Sequence, residues 1–192
     1  MAGARLVLAS GSPRRLALLS QINVSPADVI PADIVETPSP NELPRDYALR
    51  MATEKTNFVA QKTPDAFVLG ADTVVACGRR ILPKAEDQDT ARLCLALLSG
   101  RSHRVYSAIA LAAPHCALRK KIVETRVKVR RLEPRAIDEY LASNEWDGKA
   151  GGYAIQGLFA KHIVQLIGSY SNVVGLPLYE TGNLLTGANW RG

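Results

Sequence analysis

Two consecutive arginines stand at the start of a predicted helix. Residues 6–15 read Leu-Val-Leu-Ala-Ser-Gly-Ser-Pro-Arg-Arg, a short buried strand followed by a turn, with Ser12 as N-cap and Pro13 at the first helical position. The helix dipole disfavours cations there by about 0.3–1 kcal/mol each. Arg14 and Arg15 therefore indicate an anion site, in which free backbone N–H groups and two guanidinium groups would hold phosphate. The alternative is that both pair with surface carboxylates.

Two carboxylates could provide acid–base chemistry or bind a metal. Asp72 directly follows the apolar run 66–71, and the end of a buried strand is where α/β proteins bind ligands. Glu36 lies in a proline-rich segment that predicts an exposed loop. Brought together, the two could hold one or two Mg²⁺ ions, which prefer oxygen ligands. The alternatives are a turn-capping Asp72 and a solvated Glu36.

Further side chains could contact a bound anion. Lys84 follows a proline and Lys149 lies among glycines, and either could reach phosphate as a point charge. Lys55 is expected near the inner face of a helix, and the Gln156 amide, expected to enter a strand, could read a base edge. Taken singly, the lysines are also consistent with ordinary surface residues. A P-loop signature is absent from the sequence.

Composition narrows the class of protein. The chain has 192 residues, a net charge of +6 and 6% aromatic residues, which suits an anionic partner but argues against stacking platforms for single-stranded nucleic acid. The basic run 119–121 is interpreted as a hairpin turn. Cys77, Cys94 and Cys116 form neither a disulfide framework nor a zinc motif, which predicts a reducing cytoplasm. The sequence has no stretch long enough to span a membrane.

The hydrophobic pattern predicts one domain over residues 1–192. Helix and strand alternate early and an antiparallel meander follows, so we expect an α/β fold with a mixed, bent central sheet, flanked by helices, and two lobes around a cleft. Asp72 and Thr73 are expected to interrupt the strand before it resumes at Val74. Five helices are predicted: one starts at Pro13, one starts at Leu176, and the other three cover 45–60, 87–98 and 133–143. The later strands are predicted over 104–113, 117–132 and 159–167.

Five segments together resemble the Maf family of nucleoside triphosphate pyrophosphatases, whose fold is ITPase-like. They occur in the family's order and span nearly the whole chain; they are residues 8–15, 70–75, 98–103, 148–157 and 168–178. The resemblance implies hydrolysis of a nucleoside triphosphate to the monophosphate and pyrophosphate with a divalent metal, Mg²⁺ or Mn²⁺. It also implies which substrate branch the chain resembles, because the sequence of residues 149–157 is similar to that of the branch that acts on dTTP and UTP.

The resemblance also implies roles for individual residues. Asp72 matches the family's catalytic acid, a proton acceptor, and Glu36 matches a residue that lines the cleft; Glu36 and Asp72 are also the expected metal ligands, as their carboxylates suggest. The positions that match substrate-binding residues are Ser10, Arg14, Arg15, Lys55, Thr73, Lys84, Lys149 and Gln156, of which Arg15, Thr73 and Gln156 are tied to substrate choice. The chain departs from the family pattern at Val35, where relatives often have a second acid, and before Lys84, where a glycine is usual.

Three functions therefore stay open at this point. The first is a dTTP/UTP pyrophosphatase; the second is a pyrophosphatase of the same fold for 7-methyl-GTP or another modified nucleotide. The third is a non-catalytic nucleotide-binding regulator of septum formation. The expected partner is a nucleoside triphosphate, with no nucleic acid and no membrane, and a homodimer is left open.

Overall fold

Seven strands form one mixed sheet in the computed structural model, which describes residues 4–192. The sheet order is β2-β1-β3-β6-β7-β9, and β4 pairs with the far end of β3. Its strands are β1 (Leu6–Ala9), β2 (Asp28–Val29), β3 (Phe67–Cys77), β4 (Arg80–Leu82), β6 (Ser102–Ala112), β7 (Arg119–Val129) and β9 (Ile163–Ile167). The short strands β5 (Lys84–Ala85) and β8 (Lys149–Ala150) pair separately.

Helices cover both faces of this sheet. They are α1 (Pro13–Gln21), α2 (Pro44–Ala60), α3 (Gln88–Leu98), α4 (Pro134–Leu141), α5 (Tyr170–Val174) and α6 (Leu178–Gly187). β1 is parallel to β2 and β3, whereas β3, β6, β7 and β9 are antiparallel to one another. The predicted mixed α/β sheet flanked by helices is confirmed. No helix within residues 4–192 has the length and apolar character needed to cross a membrane.

The two faces of β3 pack against different helices. Side chains alternate along a strand, so Val74 packs with Met51 of α2, whereas Ala71 packs with Leu19 of α1 and Leu176. Asp72 and Thr73 are neighbours in sequence but therefore point to opposite faces of the sheet.

A gap interrupts one edge of β3. On this edge β1 pairs with residues 67–70 and β4 pairs with residues 75–77. Within the described residues 4–192, no strand pairs with residues 71–74 on this side. β6 runs along the opposite edge without a break. The gap therefore lets side chains from both faces of β3 reach a common opening.

Helix α2 packs closely against β3, and this close packing places α2 beside the gap. A Cβ built on Gly70 would collide with Thr56 and lie 3.0 Å from the Ala52 carbonyl oxygen. Glycine therefore lets the helix lie directly against the strand. This approach positions Lys55, one residue before Thr56, beside Asp72.

The polar pair Asp72–Thr73 does not interrupt the strand, contrary to the prediction. β3 continues through both residues because each has a partner: the Asp72 carboxylate is paired with Lys55, and the Thr73 hydroxyl lies 2.8 Å from that of Ser107. A buried polar group that is hydrogen-bonded can stay in a strand. Asp72 consequently lies in the middle of a strand and reaches ligands through the gap.

Other boundaries also differ from the sequence prediction. The run Arg119–Lys121 begins β7 with exposed side chains, because the chain turns earlier, around Pro114. The first half of the predicted strand 159–167 is a 3₁₀ helix, Leu158–His162, which buries Phe159 completely. The last helix begins at Leu178, two residues later than predicted.

Candidate active site

A cleft of about 510 Å³ opens at the gap in the sheet. It is bounded by the start of α1, by β3, by the loop before β8 and the turn after it, and by the end of α5. Every site residue singled out in the sequence lines it: Ser10, Arg14, Arg15, Glu36, Lys55, Asp72, Thr73, Lys84, Lys149 and Gln156. Residues far apart in the chain thus surround one volume.

The arginine turn forms one side of the cleft. Ser12 occupies the N-cap position as predicted, but its side chain makes no capping hydrogen bond. Instead the Ser10 hydroxyl oxygen accepts from the Ser12 N–H at 3.2 Å and from Arg15 Nη1 at 2.9 Å. Among residues 4–192, neither Arg14 nor Arg15 pairs with a surface carboxylate. That alternative is therefore not what the structure shows.

Three of the N–H groups of Arg15 are directed at other residues of the chain. Its Nε donates to the Gly175 carbonyl at 2.9 Å, and its Nη2 lies 3.4 Å from the Thr73 hydroxyl oxygen. Burial lowers the pKa of Arg15, which nearby Asp72 partly offsets. A guanidinium group carries five N–H donors, so two of them stay available for a ligand.

Arg14 and Lys149 concentrate positive charge at the cleft mouth. Burial lowers the pKa of the Arg14 guanidinium. Burial, and then repulsion from Arg14, also lower the pKa of the Lys149 ammonium. Lys149 donates to the Asp147 carbonyl at 2.7 Å. Two cations that destabilise each other without a ligand favour binding of a polyanion.

Four charged side chains of alternating sign line the opposite side. Lys84 contacts Glu36 Oε2 at 2.9 Å, Lys55 contacts the same oxygen at 2.9 Å, and Lys55 also contacts Asp72 Oδ1 at 2.7 Å. The Lys55 and Asp72 side chains are only 8% and 7% exposed. We call Lys84, Glu36, Lys55 and Asp72 the ion-pair chain.

The ion-pair chain keeps Glu36 ionised. Partial burial would raise the pKa of Glu36, but the hydrogen bonds from Lys55 and Lys84 and their positive charges outweigh it and lower that pKa. The contacts within residues 4–192 occupy Glu36 Oε2 and Asp72 Oδ1, so the second oxygen of each carboxylate can take another ligand.

The chain's own donors fit a divalent cation only together with substrate. Residues 4–192 contain no group of three His, Cys, Asp or Glu side chains placed to hold a metal. Val35, where the family resemblance leads to the expectation of an acid, is 79% exposed. Glu36 and Asp72 provide two carboxylates, and Mg²⁺ is commonly bound by one or two carboxylates plus substrate phosphates.

A glycine-rich segment carries Lys149 and Gln156 to the cleft. β8 pairs with β5, so that Ala150 lies opposite Lys84. Gly151 has a φ of +70° and its Cβ position would lie 2.8 Å from Val75, a conformation and a distance that glycine tolerates. Gln156 was expected in a strand; it lies in an exposed turn, which leaves its amide free to contact a ligand.

Sequence reasoning missed several residues that support the site. The Tyr47 hydroxyl donates to the Glu36 carbonyl at 2.9 Å, and burial, with the nearby carboxylates of Asp72 and Glu36, raises the pKa of Tyr47 to about 12. Ser107 and Asn172 are fully buried behind Thr73. Asn172 falls in a segment quoted for the family resemblance, whereas Ser107 occupies an ordinary strand position.

The fold and the cleft together define the class of protein. The structure is similar to a HAM1 protein from Coxiella burnetii with a TM-score of 0.53 and 18% identity, covering 96% of this chain and 99% of that chain. The chain is therefore an α/β protein of this fold with a charged cleft at the gap in its sheet. It belongs to the Maf family, since the model for "Maf-like protein" matches residues 5–188.

Relatives match over almost their full length. A dTTP/UTP pyrophosphatase from Mesorhizobium japonicum is 57% identical, covering 97% of this chain and 93% of the relative. A dTTP/UTP pyrophosphatase from Caulobacter vibrioides is 56% identical, covering 99% and 98%. Another from Paramagnetospirillum magneticum is 58% identical, covering 95% and 96%.

Proposed function

We propose that this Maf-family protein is an enzyme that hydrolyses dTTP and UTP to the nucleoside monophosphate and pyrophosphate, assisted by Mg²⁺ or Mn²⁺. The observation that carries the proposal is the meeting, in one cleft, of a buried carboxylate with the cations of the arginine turn and the ion-pair chain. The names of the relatives support the substrate.

The triphosphate binds through donors that the protein leaves unused. Ser10 accepts two hydrogen bonds, so its own proton is free to be donated to a phosphate oxygen. Arg14 and Lys149 provide cationic donors at the cleft mouth, and Lys84 neutralises charge that builds on the departing pyrophosphate.

Asp72 acts as the general base. A water oxygen attacks the α-phosphorus, the bond from that phosphorus to the bridging oxygen breaks, and the water proton passes to an oxygen of Asp72. Pyrophosphate leaves with the bridging oxygen. The ammonium of Lys55, 2.7 Å from Oδ1, fixes the orientation of the carboxylate, so that Oδ2 faces the attacking water.

Glu36 and Asp72 are the residues that would hold the divalent cation. When bound with substrate, the cation would neutralise charge on the phosphate oxygens. The lysines of the ion-pair chain already neutralise both carboxylates, so binding of the cation requires the triphosphate to bring additional negative charge.

A nucleotide panel with pyrophosphate detection tests the proposal. UTP and dTTP, 7-methyl-GTP and unmodified purine triphosphates are compared with Mg²⁺, with Mn²⁺ and with a chelator. We expect release of pyrophosphate from UTP and dTTP with either metal and its loss with chelator. A preference for 7-methyl-GTP would favour the second function, and nucleotide binding without turnover would favour the third.

The cellular setting is also a proposal. The three cysteines are unpaired, with Cys94 buried and Cys116 exposed, which supports a reducing compartment such as the cytoplasm. We propose a single domain over residues 1–192 that binds no nucleic acid or membrane.

A further inference from the structure

The side of the cleft around Thr73 differs in character from the ion-pair chain. Thr73 and Val75 point to the same face of β3, and Val173, Val174 and Gly175 line the cleft beside them. Apolar side chains next to a few fixed polar atoms suit a base, whereas the charged side suits phosphates. Granted the proposed function, the base of the substrate lies against Thr73.

A chain of buried hydrogen bonds decides where the Thr73 proton points. Ser107 Oγ lies 2.8 Å from the main-chain carbonyl oxygen of Asn172. A carbonyl oxygen only accepts, so Ser107 must donate its single proton there. Ser107 Oγ also lies 2.8 Å from Thr73 Oγ1. Since the Ser107 proton is already used, Thr73 is the donor in this second hydrogen bond.

The other close neighbours of the Thr73 hydroxyl also direct its proton into the protein. The Gly175 carbonyl oxygen lies 3.3 Å away and can only accept. Arg15 Nη2, at 3.4 Å, can only donate. In either arrangement the Thr73 proton points into the protein, and its oxygen presents a lone pair to the cleft.

The anchor of this hydrogen-bond chain, Asn172, is itself held by several hydrogen bonds. Asn172 is fully buried and its Nδ2 donates to the Val105 carbonyl at 3.1 Å and to Thr125 Oγ1 at 2.9 Å. Its backbone N–H is capped by Ser169 Oγ. The Asn172 carbonyl therefore holds its position beside Ser107, which lies directly opposite Thr73 in the sheet.

We propose that Ser107 is a positioning residue that makes Thr73 an obligatory hydrogen-bond acceptor for the substrate base. Thr73 then takes an N–H of the base, while a free N–H of Arg15, whose Nη2 is 3.4 Å from Thr73 Oγ1, donates to the adjacent base carbonyl. Uracil and thymine present this pair, N3–H beside C=O. Cytosine presents a lone pair at N3 and is disfavoured. The inference rests on the proposed function and extends it by naming the part of the base that is recognised, N3–H with its neighbouring carbonyl.

The test compares UTP with CTP, which differ at this edge of the base. We measure kcat/KM for both with the wild type and with Ser107→Ala, Thr73→Val and the double variant. We expect the wild type to prefer UTP by about tenfold or more. Thr73→Val, which lacks the acceptor, should bring the ratio close to one. Ser107→Ala removes the 2.8 Å partner and leaves only the longer 3.3 Å contact with the Gly175 carbonyl to hold the Thr73 proton inward, so it should lower the ratio roughly threefold, mainly by raising kcat/KM for CTP.

The double variant separates positioning from general damage. If Ser107 acts through Thr73, then Ser107→Ala should not change the UTP:CTP ratio further in the Thr73→Val background. Thr63→Val, which removes a buried hydroxyl that donates to the Val59 carbonyl away from the cleft, is the control and should keep the wild-type ratio.

The outcomes distinguish the two proposals. A wild type that hydrolyses neither UTP nor dTTP overturns the proposed function and this inference with it. An active wild type with a UTP:CTP ratio near one, or a ratio that Ser107→Ala leaves unchanged, overturns the inference alone. If Ser107→Ala does not fold, a wild-type ratio near one, or a ratio that Thr73→Val leaves unchanged, still overturns the inference.

Discussion

The two sides of the cleft use different physics to hold their polar groups. The ion-pair chain balances charges of alternating sign, with two lysines bonded to one oxygen of Glu36. The side around Thr73 holds neutral hydroxyls and carbonyls whose hydrogen bonds have fixed directions. A balanced set of charges can redistribute when an anion or a cation arrives, whereas a directed set of neutral hydrogen bonds is fixed before the substrate binds. The comparison assigns chemistry to the first side and recognition to the second.

Asp72→Asn should have the largest effect and should act on turnover. An amide preserves the shape but cannot accept the water proton, so kcat should fall by about 10²–10⁴-fold. KM for UTP should change much less. Asp28→Asn, at an exposed ion pair with Arg5, is the control and should keep wild-type kinetics. Wild-type turnover in Asp72→Asn would remove the chemical role of the ion-pair chain.

Lys55→Met should have the largest effect on stability. It leaves the Asp72 carboxylate buried without its cation, which should cost about 3–5 kcal/mol of unfolding free energy. The matched change Lys84→Met removes a half-exposed lysine and should cost about 0–1 kcal/mol. Urea denaturation of both variants at pH 7 measures the difference. Equal, small losses would show that Lys55 and Asp72 are not a buried pair.

On the other side of the cleft, stability should depend on pH through His103. Its Nε2 lies 2.7 Å from the hydroxyl of Tyr153, which lines the cleft. Burial lowers the pKa of His103 from 6.5 to about 4. The folded protein therefore disfavours the proton, so stability is full above pH 6.5 and falls as the pH decreases from 6.5 to about 4.

The loss linked to His103 should be on the order of 3 kcal/mol. Urea denaturation between pH 7 and pH 4 measures it against His103→Gln, which cannot titrate. The variant should have a correspondingly flatter profile. The same slope in both proteins would mean that His103 does not carry this dependence.

Gly70→Ala should have a smaller effect and should link packing to the site. The added methyl group would collide with α2 at Thr56 and Ala52, which should cost about 1–3 kcal/mol and move Lys55 away from Asp72. Gly182→Ala, inside α6 with no atom within 4 Å of the new Cβ, should instead stabilise by about 0.5–1 kcal/mol. Thermal unfolding and kcat of both variants check this. A neutral Gly70→Ala would show that α2 does not depend on this close approach.

The sequence predicts the strongly patterned parts of the molecule well. Helix 87–98 and helix 45–60 have regular apolar spacing, and the structure has them at Gln88–Leu98 and Pro44–Ala60. The arginine turn could be recognised because it breaks a local electrostatic rule. These features depend on residues close together in the chain.

What the sequence could not predict depends on distant partners. Asp72 and Thr73 look like a break in a strand until Lys55 and Ser107 are known to satisfy them. The contact of Arg15 with Gly175 joins residues 160 positions apart. The direction of the Thr73 proton follows from Asn172, which no local pattern associates with β3. The structural role of a buried polar group depends on hydrogen-bond partners that are distant in the sequence and close only in the folded protein.

The two sides of the cleft divide chemistry from recognition. The most direct measurement is a crystal structure with α,β-imido-UTP, whose α–β bridge resists hydrolysis, and Mg²⁺. We predict the α-phosphorus beside Asp72 and Lys55, with uracil N3–H directed at Thr73 Oγ1. A nucleotide bound in the opposite sense, with its base against Lys55 and its phosphates against Val173 and Val174, would contradict the account.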